Sequence, residues 1–178
     1  MKQEVICAGF GGQGILFLGK VLAYCAMNEK KHNTWMPSYG AEVRGGTAYS
    51  MTIISSDPIP SPVVVSPDAA IVMNGPSFQK FKDKVKKGGL LVVNSSIVKK
   101  VPKIPRVTVM PIPLTDIASK LGDIRVANMV ALGAYAKKTG VVSVKTALKT
   151  IGELIKDKKL LMLNRLAILK GASLVKSL

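Results

Sequence analysis

The sequence is poor in the residues that build most metal centres and redox clusters. Its 178 residues include two cysteines, Cys7 and Cys25, and one histidine, His32. A structural zinc or an iron–sulfur cluster usually needs about four ligands, most of them cysteine, so this chain is not expected to hold either one alone. The cysteines fall in a strand-like and a helix-like run, which predicts core positions rather than nucleophiles or a disulfide scaffold.

Long apolar runs are also missing. No uninterrupted run reaches the roughly 18–20 residues of a membrane helix. The first residues enter a strand-like run directly, with no apolar signal segment before it. We therefore expect a cytoplasmic protein that makes no membrane contact.

Acidic and aromatic residues are both scarce. Ten acidic residues stand against 26 basic ones, for a net charge of +16, and aromatic residues make up 5% of the chain. This charge fits lysine-covered surfaces, an acidic partner subunit, a polyphosphate ligand or nucleic acid. Binding to nucleic acid is not expected, because aromatic and basic residues do not interleave as they do in stacking grooves.

What the chain does have is alternating strand and helix patterns, with 48% apolar residues. This composition and length predict one folded domain over residues 1–178. Strand-like runs cover 3–8, 33–36, 47–55, 69–73, 90–93 and 107–111, and helical periodicity covers 15–29, 76–87, 115–121, 127–139, 143–156 and 159–176. The pattern predicts an α/β fold with three layers (α/β/α) and a mainly parallel sheet, to which the 47–75 region could add antiparallel edge strands.

A glycine-rich turn joins the first strand to the first helix. Gly9, Gly11 and Gly14 fit the pattern G-x-G-x-x-G in the strand–turn–helix context that gives this pattern its meaning. Such a turn lets the backbone approach a pyrophosphate, whose charge is stabilised by the positive end of the helix. The alternative is a tight turn that serves packing alone.

The sequence does not favour NAD as the ligand of this turn. An NAD site needs an acidic residue about 20 positions later, at the end of the second strand. That strand is followed by Pro37, and Glu29 lies before it. The basic residues 30–32 would suit an extra phosphate, as on NADP or coenzyme A (CoA), or would be plain surface.

A second candidate site is the segment 37–46, which has neither helical nor strand periodicity and contains three glycines. Glu42 and Arg44 stand two residues apart, and hydroxyl side chains flank them. An aperiodic segment of this length near a ligand turn suggests a functional loop, with a structural loop held by a Glu–Arg pair as the alternative. Asn128, at the start of a predicted helix, is expected to serve as a cap or in a turn.

Several of these motifs together resemble those of a known family. They are AGFGGQGI at 8–15, PSYGAEVRGGT at 37–47, SPD at 66–68, MNGPS at 73–77, ANMV at 127–130 and LGA at 132–134, with Asn164 and Ala167 in the last helix. The sequence resembles the gamma subunit of 2-oxoacid:ferredoxin oxidoreductases nearly end to end. The 37–42 and 73–77 segments look closer to the 2-oxoglutarate branch than to the pyruvate branch.

The resemblance implies a subunit of an enzyme that decarboxylates a 2-oxoacid to its acyl-CoA and reduces ferredoxin. Thiamine diphosphate and magnesium would then lie between alpha and beta subunits, and iron–sulfur clusters on the beta subunit or on a ferredoxin-like delta subunit. The gamma chain is associated with CoA, and no residue in it need be catalytic. The residues expected to bind CoA or to shape its site are Gly9, Gly11, Gly12, Gln13, Gly14, Ser38, Tyr39, Glu42, Arg44, Gly45, Gly46, Thr47 and Asn128.

Two other functions compete with this one. The first is an NADP-dependent Rossmann-type reductase, which would share the glycine turn but need a catalytic acid that the sequence does not offer. The second is a basic nucleic-acid-binding domain, whose affinity would fall steeply with salt.

Overall fold

The computed structural model describes residues 1–39 and 47–175, which form one sheet with helices packed on it. The strands are β1 (Lys2–Phe10), β2 (His32–Tyr39), β3 (Thr47–Ser55), β4 (Ala69–Val72), β5 (Leu90–Asn94) and β6 (Thr108–Ile112). The helices are α1 (Ile15–Asn28), α2 (Gly75–Phe81), α3 (Leu114–Lys120), α4 (Ala127–Thr139), α5 (Val144–Leu154) and α6 (Lys158–Ser173), with a short 3₁₀ turn at Ile124–Val126.

The strands lie in the order β2-β3-β1-β4-β5-β6 within the described residues. β3 runs antiparallel to both β1 and β2, whereas β1, β4, β5 and β6 run parallel to one another. The mainly parallel α/β sheet predicted from the sequence is confirmed.

Two apolar layers cover the two faces of the sheet. On one face, β1, β4 and β5 contribute alternate residues such as Val5 and Ile71 to a large core shared with α1, α3, α4, α5 and α6. On the other face, the intervening residues pack against α2 and the segments around it, including Phe78 and Phe81. Both faces of β4 and β5 are buried, which explains why these strands are continuous apolar runs rather than alternating ones.

Small residues allow α4 and α6 to pack closely. A Cβ atom added at Gly133 would collide with the backbone carbonyl of Ile168, and one added at Gly171 would collide with that of Val130. The LGA motif at 132–134 and Ala167 therefore belong to a helix–helix contact in the core.

The second strand is longer than predicted. It continues through Pro37 to Tyr39 instead of ending at the proline, and these residues pair with Ser50 and Ala48 of β3. β2 is an outer strand of the sheet, where a proline is tolerated because its nitrogen can face away from the neighbouring strand. The antiparallel strand from the 47–75 region is β3, and it lies between β2 and β1 rather than at an edge.

The second helix is shorter than the predicted 76–87. It ends at Phe81, and the lysine-rich residues after it are not helical. Continuing the helix would place Lys80 next to Lys84 and Lys82 next to Lys86, and like charges four residues apart destabilise a helix. Lys86 instead forms salt bridges with Glu4 and Asp68 of the neighbouring strand region.

Candidate functional site

The glycine turn lies where the chain leaves the sheet toward opposite faces. α1, which follows β1, packs on the large helical core, whereas α2, which follows β4, packs on the other face. β1 and β4 are parallel neighbours, so the connections after them diverge and leave a crevice between their carboxyl ends. Ligands of open α/β sheets bind in crevices of this kind.

Two glycines in the turn have backbone conformations that L side chains rarely adopt. Gly12 has φ +94° and Gly14 has φ +68°, and Gly14 is the N-cap residue of α1. Gly11 and Gly12 are exposed. The turn thus presents open backbone at the start of a helix.

The N-terminus of α1 has no partner of its own for its first amide groups. Gly14 has no side chain to cap the helix, and the first turn contains no acidic residue. The carbonyl of Gly14 accepts its helical bond from the N–H of Leu18 at 2.9 Å. Among the described residues, the N–H groups of residues 15–17 have no acceptor, which is the arrangement that binds a phosphate.

The side chain of Gln13 stabilises the glycine turn through hydrogen bonds. Its side-chain oxygen Oε1 accepts hydrogen bonds from the N–H of Phe10 at 2.8 Å and from Nδ2 of Asn74 at 3.3 Å. The N–H of Gln13 in turn donates to the carbonyl of Phe10 at 3.2 Å. The side chain of Gln13 therefore holds the turn in shape.

Sequence reasoning did not include Asn74 among the site residues. Its Oδ1 accepts from the N–H of Ser77 at 2.9 Å and so caps α2, while its Nδ2 reaches Gln13 across the crevice. The signal was present, because an Asn directly after a buried strand and before Gly-Pro is typical of a helix start. Only the folded chain brings this Asn to the glycine turn.

Asn128 is close to the turn, as expected for a site residue, but it does not cap its own helix. The N-cap of α4 is Val126, and Nδ2 of Asn128 donates to the carbonyl of Gly14 at 3.0 Å. A Cβ atom at Gly14 would collide with this Asn128 amide. Asn128 thus positions the first turn of α1 from a helix 114 residues further along the chain.

The second candidate segment begins and ends beside the glycine turn. Ser38 and Tyr39 end β2, and Thr47 begins β3 directly opposite Phe10 of β1. The side chain of Tyr39 is 72% exposed. Gly40, Glu42, Arg44, Gly45 and Gly46 lie outside the described residues, so the predicted Glu–Arg pair stays a prediction.

The basic residues 30–32 lie far from the glycine turn. They follow the C-terminus of α1, about 20 Å along the helix axis from its start. Lys31 donates to Glu29 and to the carbonyl of Val141, both at 2.6 Å. Lys31 thus joins α1 to the segment before α5, and the distance argues against the suggestion that residues 30–32 bind an extra phosphate of a ligand at the turn.

Glu29 lies at the centre of this contact between α1 and the segment before α5. Burial tends to raise its pKa, but hydrogen bonds from Lys31, from the N–H of Ser143 and from Thr146 outweigh this and lower the pKa to about 2. The carboxylate is therefore ionised and serves a structural role.

Both cysteines lie in the core. Burial raises the pKa of Cys7 to about 12 and that of Cys25 to about 11, so both thiols stay protonated and are poor nucleophiles. Among the described residues, no three Cys, His, Asp or Glu side chains come together as a metal site. No helix in that part of the chain is both long and apolar enough to cross a bilayer.

The strand order argues against NAD as the ligand of the glycine turn. In a Rossmann fold, the second strand lies beside the first, and its end supplies the acid that binds the ribose. In this protein β3, running in the opposite direction, lies between β1 and β2. The position next to β1 at the carboxyl edge is therefore the start of β3 at Thr47, and the usual NAD ribose site is not built.

The fold and the turn together define an α/β protein with a phosphate-type turn at a sheet crevice and no thiolate nucleophile or metal cluster in its described residues. The chain belongs to the pyruvate ferredoxin/flavodoxin oxidoreductase family, whose sequence profile matches residues 4–174. The resemblance seen in the sequence motifs is thereby confirmed, as is the prediction of a subunit of an oxidoreductase.

Three relatives illustrate the similarity. The 2-oxoglutarate synthase subunit KorC of Methanocaldococcus jannaschii is 37% identical, over all of this chain and 96% of that one. The crystal structure of the gamma subunit of a keto/oxoacid ferredoxin oxidoreductase from Geobacter sulfurreducens has a TM-score of 0.84 and 32% identity, covering 96% of each chain. The 2-oxoglutarate:ferredoxin oxidoreductase of Magnetococcus marinus, solved with 2-oxoglutarate, CoA and succinyl-CoA bound, has a TM-score of 0.89 and 26% identity. The match to the Magnetococcus protein covers 98% of this chain but 32% of that one.

Proposed function

We propose that this protein is the gamma subunit of a 2-oxoglutarate:ferredoxin oxidoreductase and that it binds CoA for that enzyme. The observation that carries the CoA assignment is the start of α1: exposed glycine backbone, amide groups without acceptors in the described residues and no acidic residue in the first turn. A pyrophosphate supplies the acceptors and the negative charge that such a helix end favours.

The division of labour follows from what the chain's described residues offer. Alpha and beta subunits, with thiamine diphosphate, magnesium and iron–sulfur clusters, would supply the decarboxylation chemistry and the electron path to ferredoxin, in some assemblies through a ferredoxin-like delta subunit. In this chain, the turn formed by Gly11, Gly12, Gln13 and Gly14 would hold the pyrophosphate against the free N–H groups at the start of α1. Gln13 and Asn128 would keep that backbone in place, and the thiol would extend to the partner subunits.

The choice of 2-oxoglutarate rests on the relatives. A relative that matches this chain end to end is named a 2-oxoglutarate synthase subunit, and the Magnetococcus enzyme was solved with 2-oxoglutarate and succinyl-CoA. Because substrate recognition would lie mostly on the other subunits, the substrate has to be measured on the assembled enzyme.

The test is an anaerobic pull-down of the tagged chain from its own cells, followed by mass spectrometry and a visible spectrum. We expect larger partner subunits and a brown iron–sulfur absorbance to co-purify. The complex should then reduce ferredoxin fastest with 2-oxoglutarate in a panel that includes pyruvate and 2-oxoisovalerate. Recovery of the chain alone and colourless would count against the subunit assignment, and a faster rate with another oxoacid would correct the substrate.

A further inference from the structure

A cavity of about 440 Å³ lies at the amino-terminal ends of the parallel strands. β1 contributes Lys2 and Gln3 to its wall, and β6 contributes its first residue, Thr108. The rest of the wall comes from the residues just before β4 and β5 and from the C-terminal end of α4. We refer to it as the amino-end cavity.

The amino-end cavity is separate from the glycine turn. The cavity contains Lys2 at the start of β1, whereas the turn follows Phe10 at the end of that strand. In an extended strand these two residues are about 26 Å apart. The function proposed above uses the end of the sheet at the turn and leaves the amino-end cavity without a role.

Two of the four lysines on the cavity wall are held by carboxylates. Nζ of Lys2 lies 2.6 Å from Oε1 of Glu4. Nζ of Lys86 lies 2.9 Å from Oε2 of Glu4 and 2.8 Å from Oδ1 of Asp68. The second oxygen of Asp68, Oδ2, accepts a hydrogen bond from the N–H of Glu4 at 2.7 Å. These two carboxylates are therefore fully engaged, and their charges balance those of two lysines.

The other two lysines on the wall, Lys87 and Lys138, have no carboxylate partner among the described residues. Lys87 belongs to the segment before β5 and Lys138 to the last turn of α4, so two different elements bring them to the same cavity. They leave a local excess of two positive charges. This excess matches the charge of a phosphate monoester at neutral pH, which is close to −2.

The composition of the wall favours phosphate over carboxylate. No arginine lines the cavity in the part of the chain that the structure describes, and arginine is the residue preferred for planar, two-point binding of a carboxylate. Lysine instead binds phosphate as a compact point charge. Gly88, at φ +82°, lies beside the lysines, and a Cβ atom added there would meet no described atom within 4 Å. The cavity therefore has open space next to its cations.

A buried hydroxyl beside the cavity lacks a hydrogen-bond partner. Tyr135 of α4 is fully buried, and its Oη has no partner among the described residues. Burial raises the pKa of Tyr135, so the phenol keeps its proton, and Gln3 and Thr139 of the cavity wall lie near enough to influence that pKa. Since buried donors are normally paired, this hydroxyl is a second sign that the cavity is incomplete without a ligand.

We propose that the amino-end cavity binds a phosphate group, either as the free ion or on a small ester. The ammonium groups of Lys87 and Lys138 contact two of the phosphate oxygens, and the amide nitrogen of Gln3 donates to a third. The amide oxygen of Gln3 then accepts the proton of the Tyr135 hydroxyl. Binding of the phosphate thus orients the amide and supplies the partner that the buried hydroxyl lacks.

The test is a ¹H–¹⁵N NMR titration of the purified chain with glycerol 3-phosphate, inorganic phosphate and, as a dicarboxylate of similar charge, malonate. The amide signals that move identify where each anion binds. We expect glycerol 3-phosphate to move the signals of residues 86–89 and 138–139 with a Kd below about 1 mM, and malonate to bind at least about tenfold more weakly. A tighter Kd for the ester than for inorganic phosphate would identify the ester as the ligand, and an equal Kd would identify the free ion.

Matched variants test whether the wall residues make the site. Lys87→Gln and Lys138→Gln should each weaken phosphate binding about fivefold or more, whereas Lys84→Gln and Lys137→Gln, neighbours outside the wall, should change it by less than about twofold. Tyr135→Phe should weaken binding about threefold but leave the melting temperature of the ligand-free chain unchanged or higher, because the hydroxyl it removes has no partner.

Three results would overturn the proposal: no movement of the cavity signals at about 10 mM phosphate ester, movement confined to residues 11–14, or equal losses of affinity in the wall variants and their controls. The lysine variants change only exposed or half-buried side chains, so they keep the test valid even if Tyr135→Phe disturbs folding. None of these results bears on CoA binding at the glycine turn, which is tested separately.

Discussion

The contact between Asn128 and Gly14 makes the glycine turn dependent on a residue far away in the chain. Nδ2 of Asn128 lies 3.0 Å from the carbonyl of Gly14, in the space that a side chain at Gly14 would need. The requirement for glycine at this position therefore has two causes, the left-handed backbone and the adjacent amide.

These two causes can be separated with a double-mutant cycle. Gly14→Ala adds a Cβ at φ +68° and a collision with the Asn128 amide, so it should destabilise the protein by about 2 kcal/mol or more. Asn128→Ala loses one hydrogen bond, worth about 1 kcal/mol. Because the second change also removes the collision, urea unfolding should show the double variant to be about 1 kcal/mol more stable than the sum predicts. Strict additivity would mean that the amide does not constrain position 14.

Gly12 differs from Gly14 because a Cβ there meets no described atom within 4 Å. Gly12→Val should therefore act through backbone strain at φ +94°, about 1–2 kcal/mol, and through obstruction of the crevice. In the assembled enzyme we expect the apparent KM for CoA to rise about tenfold, with little change in that for the oxoacid. Gly122→Val, at φ +107° after α3, is the control for strain alone and should leave both KM values unchanged. An equal rise for both substrates would indicate a defect in assembly.

At the scale of elements, the close packing of α4 against α6 can be tested by adding a single methyl group to either helix. Gly133→Ala and Gly171→Ala each place a Cβ against a backbone carbonyl of the facing helix, and overpacking of this kind costs about 1–3 kcal/mol. Gly152→Ala in α5, whose nearest contact is the Arg165 side chain at 3.2 Å, should instead be neutral or stabilise by up to about 1 kcal/mol. Thermal unfolding of the three variants would test this ordering, and similar melting temperatures for all three would contradict it.

The stability of the protein should depend on pH through Glu29, which links α1 to the start of α5. The pKa of Glu29 is about 2 in the folded protein and about 4.5 ordinarily. A lowered folded-state pKa stabilises the protein above the unfolded value, and this contribution disappears as the pH falls from about 4.5 toward 2. Glu29→Gln should cost about 2 kcal/mol at pH 6 and show a flatter loss of stability across that window. Glu153→Gln, more exposed on the same junction, should leave the pH profile close to that of the native chain.

The elements were predictable because their signals are local, and their arrangement was less so. Apolar runs located every strand and helix to within a few residues, apart from the residues after Phe81. The position of β3 between β2 and β1 is set by pairing between distant segments, which periodicity does not report. The candidate site follows the same rule. The glycine turn can be recognised in the sequence as a local motif, whereas Asn74 and Asn128 come close to it only in the folded chain.

For the molecule as a whole, the two thiols report on global unfolding. Both are fully buried in the large core, with pKa values of about 12 and 11. At pH 8 we expect a thiol reagent to label Cys7 and Cys25 at least about a thousandfold more slowly than in the unfolded chain, because exposure requires opening of the core. A Ser119→Cys variant, exposed on α3, should label at once and serves as the control. Rapid labelling of the native cysteines would show a local opening of the core.

Both outer strands of the described sheet contain a proline: Pro37 in β2 and Pro111 in β6. A proline has no N–H with which to continue a β-ladder, so neither margin is a good template for a strand from another molecule. In the proposed assembly, contacts with the other subunits would then involve side-chain surfaces and loops. The same property protects the isolated chain from the edge-to-edge polymerisation to which open sheets are prone.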